Sequence, residues 1–424
     1  WYRDTDEEYW AVTNDVVIWD VAVERQVQIK GPDAFKFTNF ITTKDLHKCK
    51  VKQCKYTLIC DDKGGVINDP VLSRLDNDIF WLSLSDSDVL LWAKGVAYNS
   101  KWNVELNEPD VAPMQVQGPK SKALMVSIFG PKIESLPYYH SMETTLSGMN
   151  MLVTRTGYTG EIGYEIYLRN AKKDGVKLWN TMLEAGKSYN ISPGGPSLIR
   201  RLEHGIRNYG QDMRIENNPY EVGLGFAVDL NQEADFIGKE SLIQIKKEGL
   251  KKKLVGIEFG TERMKGWNEV YWPVMENYKQ IGQVTTAAYS PSLKKNIGYA
   301  MLPIERTDIG SKIFNLGKEV YQANCATCHQ PNLSGQKGWK DKVDVDGHRL
   351  APPLNGYGHS WHHSSEQIFN TIRYGLVYFD PNYEGKMNAN DKLTDEEIWA
   401  VIEYMYSIWP EDVQSKYDEM YLSD

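Results

Sequence analysis

Cys325-Ala-Thr-Cys-His329 has the spacing C-x-x-C-H, the pattern of covalent c-type haem attachment. Two thiols add across the two vinyl groups of the porphyrin. The histidine beside the second thiol then comes under the iron as an axial ligand. With two residues between them, both sulfurs reach one porphyrin edge within a single turn of chain. Taken alone, the same spacing serves a redox dithiol or half of a zinc site. The flanking sequence favours haem.

Gly317 and Tyr321 lie on a predicted helix leading into the motif. Ala351-Pro-Pro-Leu-Asn-Gly356 follows it, then Gly385-Lys-Met387-Asn, then Thr394-Asp-Glu-Glu397. The last is a helix start, with a hydroxyl cap and acid in the first turn. Ile398, Trp399, Ile402, Met405 and Tyr406 give that helix an apolar face. In this order the segments resemble class I cytochrome c over roughly 310–410. The resemblance implies one covalent haem c held through Cys325 and Cys328, with His329 as proximal ligand and Met387 as distal ligand. It also implies that the carbonyl of Pro353 accepts the Nδ1–H of His329, a bond that fixes the ring. Met405 competes poorly for the iron, because it sits within the apolar helix face. His348, His359, His362 and His363 are rivals by type, although Gly358-His-Ser-Trp-His-His363 reads as a polar loop.

At 424 residues the chain is long enough for two or more domains. No apolar run approaches the ~20 residues of a membrane helix. Charge is uneven: residues 317–424 carry 9 Lys+Arg against 17 Asp+Glu, whereas the remainder carries 39 against 40. The acidity therefore belongs to the haem segment, which argues against nucleic acid as a partner. An acidic face steers a basic redox partner or simply keeps the domain soluble. Cys49, Cys54 and Cys60 lack a usual metal spacing and read as buried thiols. The sequence begins at Trp1 without Met or signal-peptide features, which with haem attachment leads to the expectation of a periplasmic protein whose signal has been removed.

Before residue 300 the periodicity mixes strands and helices. Val16–Ala22, Gln26–Gly31, Lys55–Cys60, Val66–Leu72 and Ile79–Leu84 read as strands; Pro32–Asn39 and Ser87–Ala97 read as helices. The order predicts α+β rather than a doubly wound sheet. Here the chain resembles the glycine-cleavage T-protein (aminomethyltransferase) family. The marks are Gly64-Gly-Val-Ile-Asn-Asp-Pro70, Arg155-Thr-Gly-Tyr-Thr-Gly-Glu-Ile-Gly-Tyr-Glu-Ile166, Arg201-Leu-Glu203, Tyr209-Gly-Gln-Asp-Met213, Asn218-Pro-Tyr-Glu-Val-Gly-Leu-Gly225 and Ile297-Gly-Tyr-Ala300. Trp19-Asp-Val-Ala-Val-Glu-Arg-Gln26, Ile67-Asn-Asp-Pro-Val71 and Ser85-Asp-Ser-Asp-Val-Leu-Leu-Trp92 bring it nearest to the dimethylsulfoniopropionate demethylases within that family. The resemblance implies a multi-subdomain fold over 1–309, with a barrel part from about 250, followed by an all-α cytochrome c domain over 310–424. The family carries further residues before the stretch that begins here, and a final strand beyond a position like Ile309-Gly310. Either the barrel is abbreviated around 310–316 or sequence is missing there.

The family binds tetrahydrofolate in a central hole. The resemblance places Glu165 and Glu203 as acceptors for the pterin, with Tyr56 and Tyr158 packed around it. A carboxylate suits the adjacent ring N–H and amino donors of a pterin, and an aromatic wall supplies stacking area. Either glutamate has an alternative partner in Arg155 or Arg201. Asn68 and Asp69 are the catalytic candidates. The T-protein has Asp where Asn68 stands, and an amide cannot take up a proton. Sulfide is already a good leaving group, so this change leans towards methyl transfer from a sulfonium. Trp19 and Trp92 are either core residues or cation–π partners for a small methylated sulfonium or amine.

Two functions fit the combination. The first is a folate-dependent methyl or one-carbon transferase carrying a haem c electron-transfer domain. T-protein-like domains also occur with flavin-dependent dehydrogenases, whose electrons a haem accepts. No Gly-x-Gly-x-x-Gly follows a strand here, so a flavin belongs to a partner subunit. The second is a non-catalytic periplasmic electron-transfer subunit whose transferase-like domain is a docking or ligand-binding scaffold.

Overall fold

A computed structural model describes residues 3–85, 87–98, 100–260, 263–276, 279–310 and 316–421. The chain divides into two compact units, 1–272 with 283–307 and 273–282 with 308–424. The segment 311–315, where the barrel end was in question, lies outside the described residues.

The first unit is α+β. Among its described residues, a six-stranded sheet has the spatial order Ser141–Leu146, Met149–Thr154, Gly163–Arg169, Val111–Gln117, Val16–Asp20, Ile191–Pro193. Successive side chains on a strand point to opposite faces. One face sends Val16, Ile18, Met114, Val116, Met151, Val153, Tyr164 and Ile166 into an apolar core. Helices Ser121–Phe129 and Ala171–Ala185 pack against that sheet. The other face carries a row set by register: Trp19 opposite Gln115, Gln115 opposite Glu165, and Glu165 opposite Thr154. This second face is also inside, since Trp19, Gln115, Glu165 and Thr154 are all buried. Tyr164 accordingly faces the core while its neighbour Glu165 faces the interior row.

A second sheet runs Cys54–Tyr56, Val71–Arg74, Ile79–Ser83, Gln26–Lys30, Glu105–Asn107. It packs on helices Ala34–Ile41 and Val89–Tyr98 through Ile29, Phe37, Leu72, Phe80 and Val89. The run Val66–Leu72, expected as one strand, is two: Val66–Asn68 pairs with Ile59–Cys60, and Val71–Arg74 joins the second sheet. Pro70 has no N–H to donate to a ladder, so the break falls at Asp69-Pro70. Cys49, Cys54 and Cys60 are buried free thiols. Burial pushes Cys54 up to about 12 and raises Cys49 and Cys60 as well.

Lys252–Phe259, Lys295–Pro303 and Lys279–Ser290 lie side by side in the last sheet. The short helix Leu198–Glu203 is fastened to it by charge. The guanidinium of Arg201 pairs with Asp212, both side chains 0% exposed. It also donates to Thr286 Oγ1 at 3.1 Å and Gln211 Oε1 at 3.0 Å.

The second unit is helical: Leu316–Asn324, Ala326–His329, Ser365–Tyr374, Asp395–Ile408 and Glu411–Tyr421. Capping boxes start two of these, Ser364 with Gln367 and Thr394 with Glu397. Val320, Tyr321, Ile368, Ile398, Ile402 and Met405 form the core. Helices Leu316–Asn324 and Asp395–Ile408 approach most closely at Gly317, where a Cβ would overlap the Ala400 carbonyl oxygen. Backbone cannot retreat from such a clash as a flexible side chain does. Gly317→Ala should therefore separate the two helices and cost about 1–3 kcal/mol, typical of overpacking. Thermal unfolding followed by helix circular dichroism measures it, and an unchanged midpoint would disprove the close crossing.

Candidate functional sites

In the helical unit the attachment motif is a tight turn. The N–H of His329 donates to the Cys325 carbonyl at 2.9 Å and that of Cys328 to the same oxygen at 3.2 Å. Cys325 is half-buried and Cys328 exposed. Tyr321, fully buried, donates its hydroxyl to the Gln330 carbonyl at 2.7 Å and so ties the helix to the chain leaving the motif.

His329 Nδ1 lies 2.8 Å from the carbonyl oxygen of Pro352. A carbonyl only accepts, so the proton sits on Nδ1 and the Nε2 lone pair is left for a metal. Burial lowers the His329 pKa against the raising effect of that bond, which favours the neutral ligating form. The acceptor is thus Pro352 and not Pro353, correcting the sequence expectation by one residue. The Pro353 carbonyl is instead packed against Gly358, where a Cβ would overlap it. Two consecutive carbonyls of an extended segment point to different sides, and the sequence does not say which one faces the ring.

Met387 packs half-buried against the same core cluster as Cys325, Leu354, Phe369 and Trp399. Its N–H donates to the Tyr383 hydroxyl at 3.1 Å, and its carbonyl accepts from Leu376 N–H at 3.1 Å. Lys386 beside it pairs with Asp344 at 2.6 Å and Asp346 at 2.9 Å. Met405, by contrast, is 2% exposed in the core. Of the histidines, His359 and His363 contact each other, Nδ1 to Nε2 at 3.2 Å, and the His362 ring lies against Trp361. The partly exposed apolar shelf, the paired thiols and the free Nε2 fit a flat apolar macrocycle with an iron at its centre.

The first unit buries a set of polar side chains, among them Asn68, Asp69, Gln115, Thr156 and Glu165. Asp69 is 8% exposed. Its carboxylate accepts from the Tyr56 hydroxyl at 2.9 Å and the Ser85 hydroxyl at 2.8 Å. Burial nevertheless raises it to about 6, the hydrogen bonds only partly opposing. Asn68, fully buried, is committed elsewhere: its amide donates to Ser87 Oγ at 2.8 Å and accepts from Ser85 N–H at 3.2 Å. It ties Ser85 and Ser87 to the strand Val66–Asn68. Of the two catalytic candidates, only Asp69 carries a group able to take up a proton.

Glu165 is 6% exposed. It accepts from Gln115 Nε2 at 2.7 Å, Thr156 Oγ1 at 2.6 Å and the Tyr167 hydroxyl at 2.7 Å. Three donors leave one of a carboxylate's four acceptor positions open. Tyr56 and Tyr158 have their pKa raised chiefly by burial, yet both keep partial exposure. Phe226 stacks behind Tyr56 at 6.1 Å.

Glu203 does not join this group. Its side chain is 6% exposed and pairs with Arg200. It also accepts from Tyr9 at 2.9 Å, Ser290 at 2.5 Å and Ser292 at 3.1 Å. Its acceptor positions are filled by the protein, so it is a structural clasp and not a pterin acceptor. Arg201 is likewise bound to Asp212 and does not reach either glutamate by a hydrogen bond. Trp19 is 1% exposed among Ala11, Val12, Val17 and Val21, and Trp92 packs on the core of the second sheet. Trp19 is a core residue and Trp92 a half-buried one packed on a core.

One residue was missed. Glu24 sits in the turn after Val16–Asp20, its N–H donating to the Val21 carbonyl at 2.8 Å. Burial, then Glu165 and Asp69, push its carboxyl well above the usual range. The charges of Glu165 and Asp69 thus bear on a residue distant from both in sequence, and no local spacing around Glu24 announces it.

The GCVT N-terminal domain profile matches residues 1–232, the glycine cleavage T-protein C-terminal barrel profile 252–326, and the cytochrome c profile 314–409. A dimethylsulfoniopropionate demethylase of Ruegeria pomeroyi is 37% identical over 287 residues, 68% of this chain and 78% of that protein. An aminomethyltransferase of Alkaliphilus metalliredigens is 32% identical over 314 residues, 72% of this chain and 83% of that protein. The crystal structure of the glycine cleavage aminomethyltransferase T from Bartonella henselae superposes with a TM-score of 0.66 at 22% identity, over 72% of this chain and 83% of that one. With two T-protein domains in order and a demethylase and aminomethyltransferases as relatives, the chain belongs to the glycine-cleavage T-protein family of one-carbon transferases and carries a cytochrome c domain behind it.

Proposed function

We propose that the first unit is a folate-dependent transferase that takes a methyl or one-carbon group from a small methylated sulfonium or amine. The observation that carries this reading is Asp69, buried yet basic enough to accept a proton near neutrality and clasped by Tyr56 and Ser85. A bound reduced folate would supply the secondary amine nitrogen that takes up the carbon. Glu165 holds the N–H donors of the heterocycle, oriented by Gln115, Thr156 and Tyr167. Tyr56 and Tyr158 wall it. Asp69 Oδ receives the proton that the nitrogen sheds. A sulfide leaving group keeps its electron pair and needs no acid, which accounts for a site that manages with an amide at Asn68. The test is transfer from a methylated sulfonium or N-methylamine to tetrahydrofolate by the purified haem-bearing chain. No product with either donor class would favour the scaffold function.

Methyl transfer moves no net electrons, so the second unit serves a partner. Covalently held haem supplies one-electron transfer, and the residues placed for it are Cys325, Cys328, His329 Nε2 and Met387. We assign the donor to a redox partner protein, a flavin-dependent dehydrogenase that oxidises an N-methyl group. Haem attachment outside the cytoplasm supports a periplasmic location.

Three outcomes are expected. Denatured protein keeps its haem on a reducing gel, and Met387→Ala removes the methionine–iron charge-transfer band while leaving the haem attached; loss of haem on denaturation would rule out attachment. The transfer rate rises with pH and is half-maximal near the Asp69 value of about 6, because the base acts when ionised, above its pKa; Asp69→Asn flattens that limb. Glu165→Gln weakens tetrahydrofolate by about 1.5–3 kcal/mol, roughly ten- to hundredfold, in calorimetric titration. Glu203→Gln instead lowers the unfolding midpoint at unchanged folate affinity, and the reverse pattern would restore Glu203 as the acceptor.

A further inference from the structure

Two segments of the haem unit, far apart in sequence, are joined by one lysine. Lys386 stands beside Met387, and its Nζ donates to Asp344 Oδ2 at 2.6 Å and Asp346 Oδ2 at 2.9 Å. It is the sole Lys or Arg of the stretch 374–391, which also holds Asp380, Glu384 and Asp391. Its partners nonetheless lie 42 and 40 residues earlier in the chain.

The acidic end is shaped to receive it. Val343 and Arg349 pair as an antiparallel bridge, and Asp344 N–H donates to the His348 carbonyl at 2.8 Å. Asp344 Oδ1 accepts from the N–H groups of Asp346 and His348, each at 2.9 Å. One carboxylate oxygen thus builds the turn, and the other is left for the lysine. The turn runs directly into Leu350-Ala351-Pro352, and the Pro352 carbonyl holds the His329 ring. Ala351 is fixed in its turn by Gln336: its N–H donates to Gln336 Oε1 and its carbonyl accepts from Gln336 N–H, both at 2.9 Å.

At the other end, Met387 is held by bonds from nearby in sequence. Its N–H meets the Tyr383 hydroxyl, and its carbonyl meets Leu376 N–H. Gly385 lies so close to Tyr383 that a Cβ would overlap the hydroxyl, and Gly375 bridges to Asn388. These contacts shape the distal loop and attach it to the end of helix Ser365–Tyr374. The Lys386 ion pairs attach it to the segment that carries the proximal acceptor.

We propose that Lys386, Asp344 and Asp346 form a latch across the haem crevice, which positions Met387 by fastening its loop to the segment that orients His329. The latch rests on the haem reading above, with His329 and Met387 as the axial pair, and its three members are positioning residues that act through those ligands. A lone surface ion pair contributes little. Here one lysine meets two carboxylates, and backbone donors already fix Asp344, so less freedom is lost on pairing. With the latch closed, an outside ligand reaches the iron by displacing the methionine together with its fastened loop. With the latch open, the loop keeps its local bonds but is free to swing, and the sixth position is easier to take. Access to the iron thereby becomes sensitive to salt, since exposed charges are screened over about 10 Å at 0.1 M ionic strength.

The experiment follows imidazole binding to the ferric haem of the full chain by absorption, at pH 8, where imidazole is neutral. Wild type is expected to show the methionine–iron charge-transfer band and to bind imidazole weakly. Lys386→Gln, and separately Asp344→Asn combined with Asp346→Asn, are expected to bind it about threefold more tightly or better. Asn keeps the oxygen that shapes the turn. The triple variant binds no more tightly than either, because the same bonds are broken each time. Lys386→Arg restores the wild-type affinity. Raising salt from about 0.02 M to about 0.5 M tightens imidazole binding to wild type and leaves Lys386→Gln nearly unmoved. Equal imidazole affinity in wild type and Lys386→Gln, or additive effects in the triple variant, overturns the latch while Met387 remains the ligand. Absence of the charge-transfer band from wild type overturns the Met387 assignment, and the latch with it.

Discussion

Arg201 and Asp212 are both shut off from solvent, and the transferase unit is assembled around their need for one another. An ion taken out of water is costly unless it is paired and its remaining hydrogen-bond positions are filled. Here Gln211, the Ile206 carbonyl and Thr286 occupy the terminal nitrogens of the guanidinium, whose Nε is left buried without a partner, while Thr285 and Asn208 N–H add to the carboxylate. The result fixes the short helix Leu198–Glu203 against the strand Lys279–Ser290. Glu203, two residues on, repeats the device with Tyr9 from the first helix and Ser290 and Ser292 from the last sheet. With these ions paired by protein, Glu165 is left as a buried carboxylate with three donors and one acceptor position open.

The haem unit is held on different terms. Its fixed points are backbone oxygens standing where a side chain would otherwise be. The Ala400 carbonyl occupies the space beside Gly317, and the Pro353 carbonyl the space beside Gly358. The first lets two helices cross closely enough to seal Tyr321 and Ile398 inside. The second turns Pro353 away and leaves the Pro352 carbonyl for His329. Ring orientation is therefore set by a glycine several residues away along the chain.

What the sequence disclosed follows from how local each signal is. C-x-x-C-H, the Thr394 cap and the apolar helix face are short patterns, and each was legible because its chemistry lies within one turn of chain. The alternation of Gly163–Arg169 told which side Glu165 takes, since period two leaves no choice once Tyr164 is in the core. Glu203 misled because its motif specifies a residue type and not its partners, and the partners come from residues 9 and 290. Asn68 misled in the same way, since its amide is consumed by a segment seventeen and nineteen residues on. Glu24 was invisible because nothing near it in sequence is acidic and inward; only tertiary folding brings Glu165 and Asp69 to it.

The five cysteines illustrate how a fold can sort chemically equivalent atoms. Cys49, Cys54 and Cys60 are sealed in the first unit with thiols harder to ionise than usual. Sulfur reacts as thiolate, so these three are withheld both sterically and by charge. Cys328 is exposed and Cys325 half so. Before haem is attached, an electrophile therefore meets Cys328 first, since burial also raises the Cys325 thiol, to about 11. Selectivity of this kind suits a polypeptide in which two sulfurs take up a prosthetic group and three stay as thiols.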